Sequence, residues 1–67
     1  MSVFSDRLAE LRKKRGLTQQ QIAEQIGIKQ NSYSDWETGK NEPNLKNVVK
    51  LANILDVTAD YLLGMVK

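Results

Sequence analysis

Apolar residues return every three or four positions in successive stretches of this chain, and polar residues fill the gaps. Phe4, Leu8 and Leu11 form the first such stripe. Ile22, Ala23 and Ile26 form the second, and Tyr33 with Trp36 the third. Leu45, Val48, Val49, Ala52 and Leu55 form the fourth, widened by Leu51 and Ile54. Residues three or four apart share one face of a helix, so each stripe predicts an amphipathic helix. The breadth of the fourth predicts burial on more than one side. No run alternates long enough to predict a strand.

Caps and stops set the limits of these helices. Helix 1 is expected over Phe4–Arg15, with Ser2 or Ser5 as its cap and Asp6 at its positive end. Lys13-Lys14-Arg15 sit at its negative end, and Gly16 stops it. That basic run reads as dipole complementation or as a phosphate contact, the former being the blander reading. Helix 2 starts after Thr18, which with Gln21 makes a capping box, and Leu17 can staple onto Ile22. It ends near Ile26, and Gly27 supplies the sharp turn. Helix 3 is expected over Gln30–Glu37, followed by Thr38-Gly39. Its cap position holds Lys29, which offers no acceptor and opposes the helix dipole. Asn44 caps helix 4, Leu45–Leu55, and Thr58 caps a short helix 5, Ala59–Leu63. Gly64 stops that helix, and Met65-Val66-Lys67 form a tail. The expected fold is one all-α, five-helix domain over residues 1–67, with a helix-turn-helix at about 18–38.

The 67 residues are near the lower limit for a chain that folds alone. With no cysteine and no histidine, disulfides, thiolate nucleophiles and the usual zinc ligands are excluded. No metal and no cofactor is expected. Asp56 and Asp60 read as loop and first-turn residues rather than a catalytic pair, so no enzyme is expected. No apolar run is long enough for a membrane span and no signal peptide opens the chain, so the expected setting is the cytoplasm. The net charge is +2. Residues 1–40 hold seven Lys/Arg against five Asp/Glu, and residues 41–67 hold three of each, so the excess lies with the helix-turn-helix half.

Gly16-Leu17-Thr18-Gln19, Ala23, Gly27, Trp36-Glu37-Thr38-Gly39-Lys40, Pro43 and Asp60-Tyr61-Leu62-Leu63-Gly64 together resemble the XRE or lambda-repressor-like helix-turn-helix family. The resemblance implies a transcriptional regulator, of repressor type, that reads operator DNA with helix 3. It makes Gln30 and Asn31 the leading base contacts, with Lys29, Ser34 and Asp35 beside them. Gln and Asn can pair with adenine, Lys with guanine, and Asp with the cytosine amine. It makes Gln19 a phosphate contact that also braces Gln30, and Thr38, Lys40 and Asn44 a phosphate clamp on the other side. It pairs Arg12 with Glu37, tying helix 1 to the end of helix 3. Trp36 reads as core beside Tyr33. Two departures stand out: Lys29 replaces the family's usual Ser or Thr cap, and Tyr33 replaces an aliphatic residue.

One helix-turn-helix reads few base pairs, so a homodimer on a palindromic operator is expected. Its candidate contact is the C-terminal region 55–67, through Leu55, Val57, Tyr61, Leu63, Met65 and Val66. Leu62 is expected in the core, and the alternative is that the whole set is intramolecular. A second functional reading is a protein-interaction module, such as an antitoxin-type partner. The polar face of helix 3 speaks against it, since it lacks the aromatic anchors of a protein hot spot.

Overall fold

A computed structural model describes residues 2–66, so Met1 and Lys67 at the ends of the expected domain and tail lie outside the described residues. Five helices follow in order: α1 Val3–Lys14, α2 Gln19–Ile26, α3 Gln30–Thr38, α4 Leu45–Leu55 and α5 Ala59–Leu62. No strand occurs among the described residues. The limits fall within a residue of the expected ones, and each shift has a local cause. Ser2 is the cap of α1, and Ser5 closes the box from inside the helix, so Val3 is already helical. At the other end of the chain Leu63 is the C-terminal cap of α5 rather than its last turn.

The chain packs as a ring of helix pairs. α1 lies against α3 and α5, α2 against α3 and α4, and α4 against α5. Leu8, Ile22, Tyr33, Leu51, Leu55 and Leu62 meet at the centre, each fully or almost fully buried. Leu17, Ile28 and Val57 cover the centre from the connecting segments. Burying side chains of this size contributes roughly 1.5–3 kcal/mol each.

Two expectations are corrected here. The inward face of α4 is Val48, Leu51, Ala52 and Leu55, whereas Leu45 and Val49 are exposed, at 74% and 48%. At about 100° per residue, Leu45 and Val49 lie to one side of that face. The helices packed on α4, α2 and α5, cover only the other residues. Leu55, offered above as a dimer contact, is 1% exposed and belongs to the core. It is not available to a partner.

The end of α4 has no glycine. Asp56 adopts the left-handed conformation there, with φ 55°, one of the few non-glycine types that tolerate it. Arg15 reaches across to this end and donates to the Leu55 carbonyl at 3.0 Å, with the Asp56 carboxylate 3.6 Å away. This gives Arg15 a structural job at the end of α4, which neither reading of the basic run named. The Arg15–Asp56 ion pair is exposed and contributes little on its own. The tail is held from α1. Arg7 donates to the carbonyls of Tyr61 and, at 2.7 Å, Val66, and its guanidinium stacks 4.2 Å from the Tyr61 ring centre.

Candidate nucleic-acid interface

The interface is built from α2, its turn and α3. Thr18 accepts from the Gln21 amide while the Gln21 side chain accepts from the Thr18 amide. Two orphan donors are thereby satisfied and the start of α2 is fixed. At its other end, the Gly27 and Ile28 amides both donate to the Ala23 carbonyl, at 2.9 and 3.0 Å. Gly27 turns the chain with φ 90°, where a side chain would strain the backbone. Ala23 is buried, as a small residue at a helix crossing should be. Lys50 of α4 sits with its ammonium 3.5 Å from the Ile26 carbonyl, at the negative end of α2.

α3 has two different sides. Tyr33, Trp36 and Glu37 are buried, and the two rings meet edge to face with centroids 5.8 Å apart. Trp36 is therefore committed to the core. Lys29, Gln30 and Asn31 are exposed, and Ser34 and Asp35 are half-buried. Lys29 makes no side-chain cap. Among the described residues, no side-chain hydrogen bond engages Lys29, Gln30, Asn31 or Ser34. Their donors and acceptors are free.

The inward side is anchored on one carboxylate. Glu37 accepts from Arg12 through Nε at 2.6 Å and Nη2 at 3.1 Å, a bidentate fork. Tyr33 donates its hydroxyl to Glu37 at 2.5 Å, and Gln19 donates its amide at 3.0 Å. Arg12 spends Nη1 on the Leu17 carbonyl at 2.8 Å. Residues from α1, α2 and α3 thus converge on Glu37. Burial alone would push the Glu37 carboxyl up. The bonds from Arg12, Tyr33 and Gln19, with the Arg12 charge, outweigh it and hold the group below its ordinary range. The Glu37 hydrogen bond keeps Arg12 charged against its own burial. Burial, and then the bond to Glu37, push the Tyr33 hydroxyl far above its ordinary range.

Of the phosphate candidates, Lys40 is exposed on the segment after α3. Asn44 is exposed and uses its side-chain oxygen to cap α4, accepting from the Asn47 amide at 2.9 Å. Thr38 donates its hydroxyl to the Asp35 carbonyl at 3.2 Å. Gln19 departs from expectation: its amide is turned to Glu37, and no bond joins it to Gln30. The buried carboxylate is a stronger acceptor than a neutral amide, which is why it takes the donor. Asp35 is also engaged, receiving Asn41 Nδ2 at 3.1 Å. Of these links, Tyr33–Glu37 was detectable at its four-residue spacing; Gln19–Glu37 and Asp35–Asn41 carried no signal of their own. Among the described residues no cluster of His, Cys, Asp or Glu could hold a metal ion, and no helix is long and apolar enough to cross a membrane.

Known proteins share this fold. The helix-turn-helix family matches residues 8–62. An uncharacterized HTH-type transcriptional regulator, YqaE, of Bacillus subtilis is 44% identical over 61 residues, which are 91% of this chain and 53% of that protein. The cryptic phage CTXphi transcriptional repressor RstR of Vibrio cholerae is 42% identical over 61 residues, covering 91% of this chain and 54% of that protein. The chain therefore spans about half the length of these curated relatives. Among solved structures, the P22 c2 repressor in complex with a synthetic operator superposes with a TM-score of 0.87 at 30% identity, covering 94% of this chain and 96% of that one. A transcriptional regulator from Listeria innocua gives 0.88 at 28%, over 96% of this chain and 60% of that one. The family match spans most of the chain, the relatives are similar over nine-tenths of it, and the solved structures share its fold; the chain belongs to the XRE-type, lambda-repressor-like helix-turn-helix family.

Proposed function

We propose that this chain is a sequence-specific DNA-binding transcriptional regulator, of repressor type, that lays α3 in the major groove of a palindromic operator as a homodimer in the cytoplasm. The observation that carries this reading is the asymmetry of α3. Its inward side is fixed to the core through Glu37, while Lys29, Gln30 and Asn31 stand exposed with their polar groups unspent. Direct readout requires such free donors and acceptors on a rigid helix. Gln30 and Asn31 read bases, with Lys29 and Ser34 beside them. Lys40, the Asn44 amide and the start of α2 at Gln19 take phosphates. With its first amide hydrogen given to Glu37, Gln19 has its second to offer. The homodimer uses Leu63, Met65 and Val66, which are exposed, with Val57 and Tyr61 half-buried beside them.

The test is a binding titration on DNA selected from random sequence, repeated across salt. Affinity should fall steeply with salt, since phosphate contacts release counterions. Gln30→Ala should cost about 1–3 kcal/mol on the selected site and relax preference at one base pair. Lys40→Ala should weaken all sequences alike and make the salt slope shallower by about one unit. Binding that ignores salt, or a Gln30→Ala protein with unchanged affinity and preference, would refute the assignment.

A further inference from the structure

We propose that Asp35 is a positioning residue that ties the reading helix to the Lys40 segment, and is not itself a base reader; this rests on the DNA-binding function proposed above. Its place, one turn after Asn31, suits a residue facing the groove. Its contacts point elsewhere. The Asp35 carbonyl receives the Gly39 amide, the Lys40 amide at 2.9 Å, the Asn41 amide at 3.3 Å and the Thr38 hydroxyl at 3.2 Å. Its carboxylate receives Asn41 Nδ2 at 3.1 Å. Both polar ends of one residue therefore hold the same four-residue segment, Thr38–Asn41, against the end of α3.

Electrostatics favours the same assignment. A free carboxylate facing a groove is repelled by the phosphates on either side and gains only where a cytosine amine meets it. An amide donor from Asn41 gives the carboxylate a partner within the protein. Lys40 lies inside the pinned segment, its amide held by the main-chain carbonyl of residue 35, and the Asp35 carboxylate closes the segment at its far end through Asn41. The backbone from which Lys40 reaches is thereby set relative to the base-reading residues of α3 before DNA arrives. Pre-setting it lowers the ordering cost of binding.

The experiment uses the selected site and compares Asp35→Ala, Asp35→Asn, Asn41→Ala and the Asp35→Ala/Asn41→Ala double variant, with Gln30→Ala as the reading control. Each is first shown folded by its melting curve. Asparagine at 35 keeps an acceptor for Asn41 while dropping the charge, so Asp35→Asn should bind at least as tightly as the parent. Asn41→Ala should bind about three- to tenfold more weakly than the parent, and Asp35→Ala weaker than Asp35→Asn by the same factor. The double variant should be no weaker than Asp35→Ala, and base preference should match the parent at every position in all four. A changed preference at one base pair in Asp35→Ala or Asp35→Asn would overturn the proposal, as would fully additive losses from Asp35→Ala and Asn41→Ala. A Gln30→Ala protein that keeps its preference would instead sink the reading role of α3 itself, so the two failures are told apart.

Discussion

Replacing the buried Glu37 by alanine should be among the most damaging single substitutions on α3. The carboxylate sits 2.6 Å from Arg12 Nε, with side chains only 6% and 12% exposed, so solvent screens the pair weakly. Removing it strands the Arg12 charge and leaves Tyr33 and Gln19 without their acceptor. Breaking a buried ion pair from one side costs about 3–5 kcal/mol. A 67-residue domain has roughly 3–10 kcal/mol of total stability, so the change consumes much of it. At about 4–8 °C per kcal/mol for a domain this small, Tm should fall by about 12 °C or more, read by circular dichroism at neutral pH. The pH dependence gives a second readout. Because the folded-state carboxyl lies below its ordinary value of 4.5, its stabilisation is present above that value. It is lost as pH falls through the lowered folded one. The parent should weaken along this limb, and Glu37→Gln should be flatter there. A Glu37→Ala protein melting within a few degrees of the parent would refute the argument that the pair is buried and unrelieved.

Tyr33→Phe keeps the ring and removes one donor to a charged acceptor, so a loss of about 1.5–3 kcal/mol is expected in urea unfolding. The raised Tyr33 group stabilises fully below its ordinary value of 10 and loses this as pH climbs beyond it, so the alkaline limb should flatten in Tyr33→Phe. Gly64→Ala should destabilise by about 1–3 kcal/mol, because φ is +79° and the new methyl would lie 2.8 Å from Val3 Cγ1. An unchanged urea midpoint would count against that geometry. Met65→Asp with Val66→Asp should leave the monomer folded and abolish cooperative binding to a palindrome. Analytical ultracentrifugation with and without DNA checks it, and cooperative binding that survives would remove the tail from the interface.

The fold was legible wherever one residue's local chemistry decided the matter. Thr18, Asn44 and Thr58 are caps because each offers an acceptor before an apolar-periodic run, and Ser2 is the one of two candidate serines that the structure selects; all four accept from an amide of the first turn. What failed was what depends on neighbours. Leu45 and Val49 are as apolar as Val48 and Leu51, and period alone does not say which of them another helix will cover. The left-handed Asp56 carried no warning, because glycine usually marks that position. At the site, Arg12 and Glu37 were matched only by resemblance. Gln19 joined them because a buried carboxylate attracts every donor in reach, and reach is a property of the folded chain.

The energetics of α3 lie at one end, and this makes a last prediction possible. A helix of nine residues does not hold together alone in water. Its first turn here is the weak one: Lys29 provides no cap and places a positive charge at the positive end. Each of those defects costs roughly 0.5–1 kcal/mol. The far end, with Tyr33, Trp36 and the Glu37 carboxylate, outweighs them several-fold. Lys29→Ser would cap the turn and remove the repulsion, so it should stabilise the free protein by about 1 kcal/mol, seen as a higher urea midpoint. A phosphate near the same turn would reverse the sign, since both the lysine and the unpaired amides then face an anion. The same variant should therefore bind DNA more weakly and with a shallower salt slope, the usual exchange between stability and function at a working site. A Lys29→Ser protein that gained stability and lost no affinity would show that the uncapped turn faces water in the complex, and that the local flaw serves nothing.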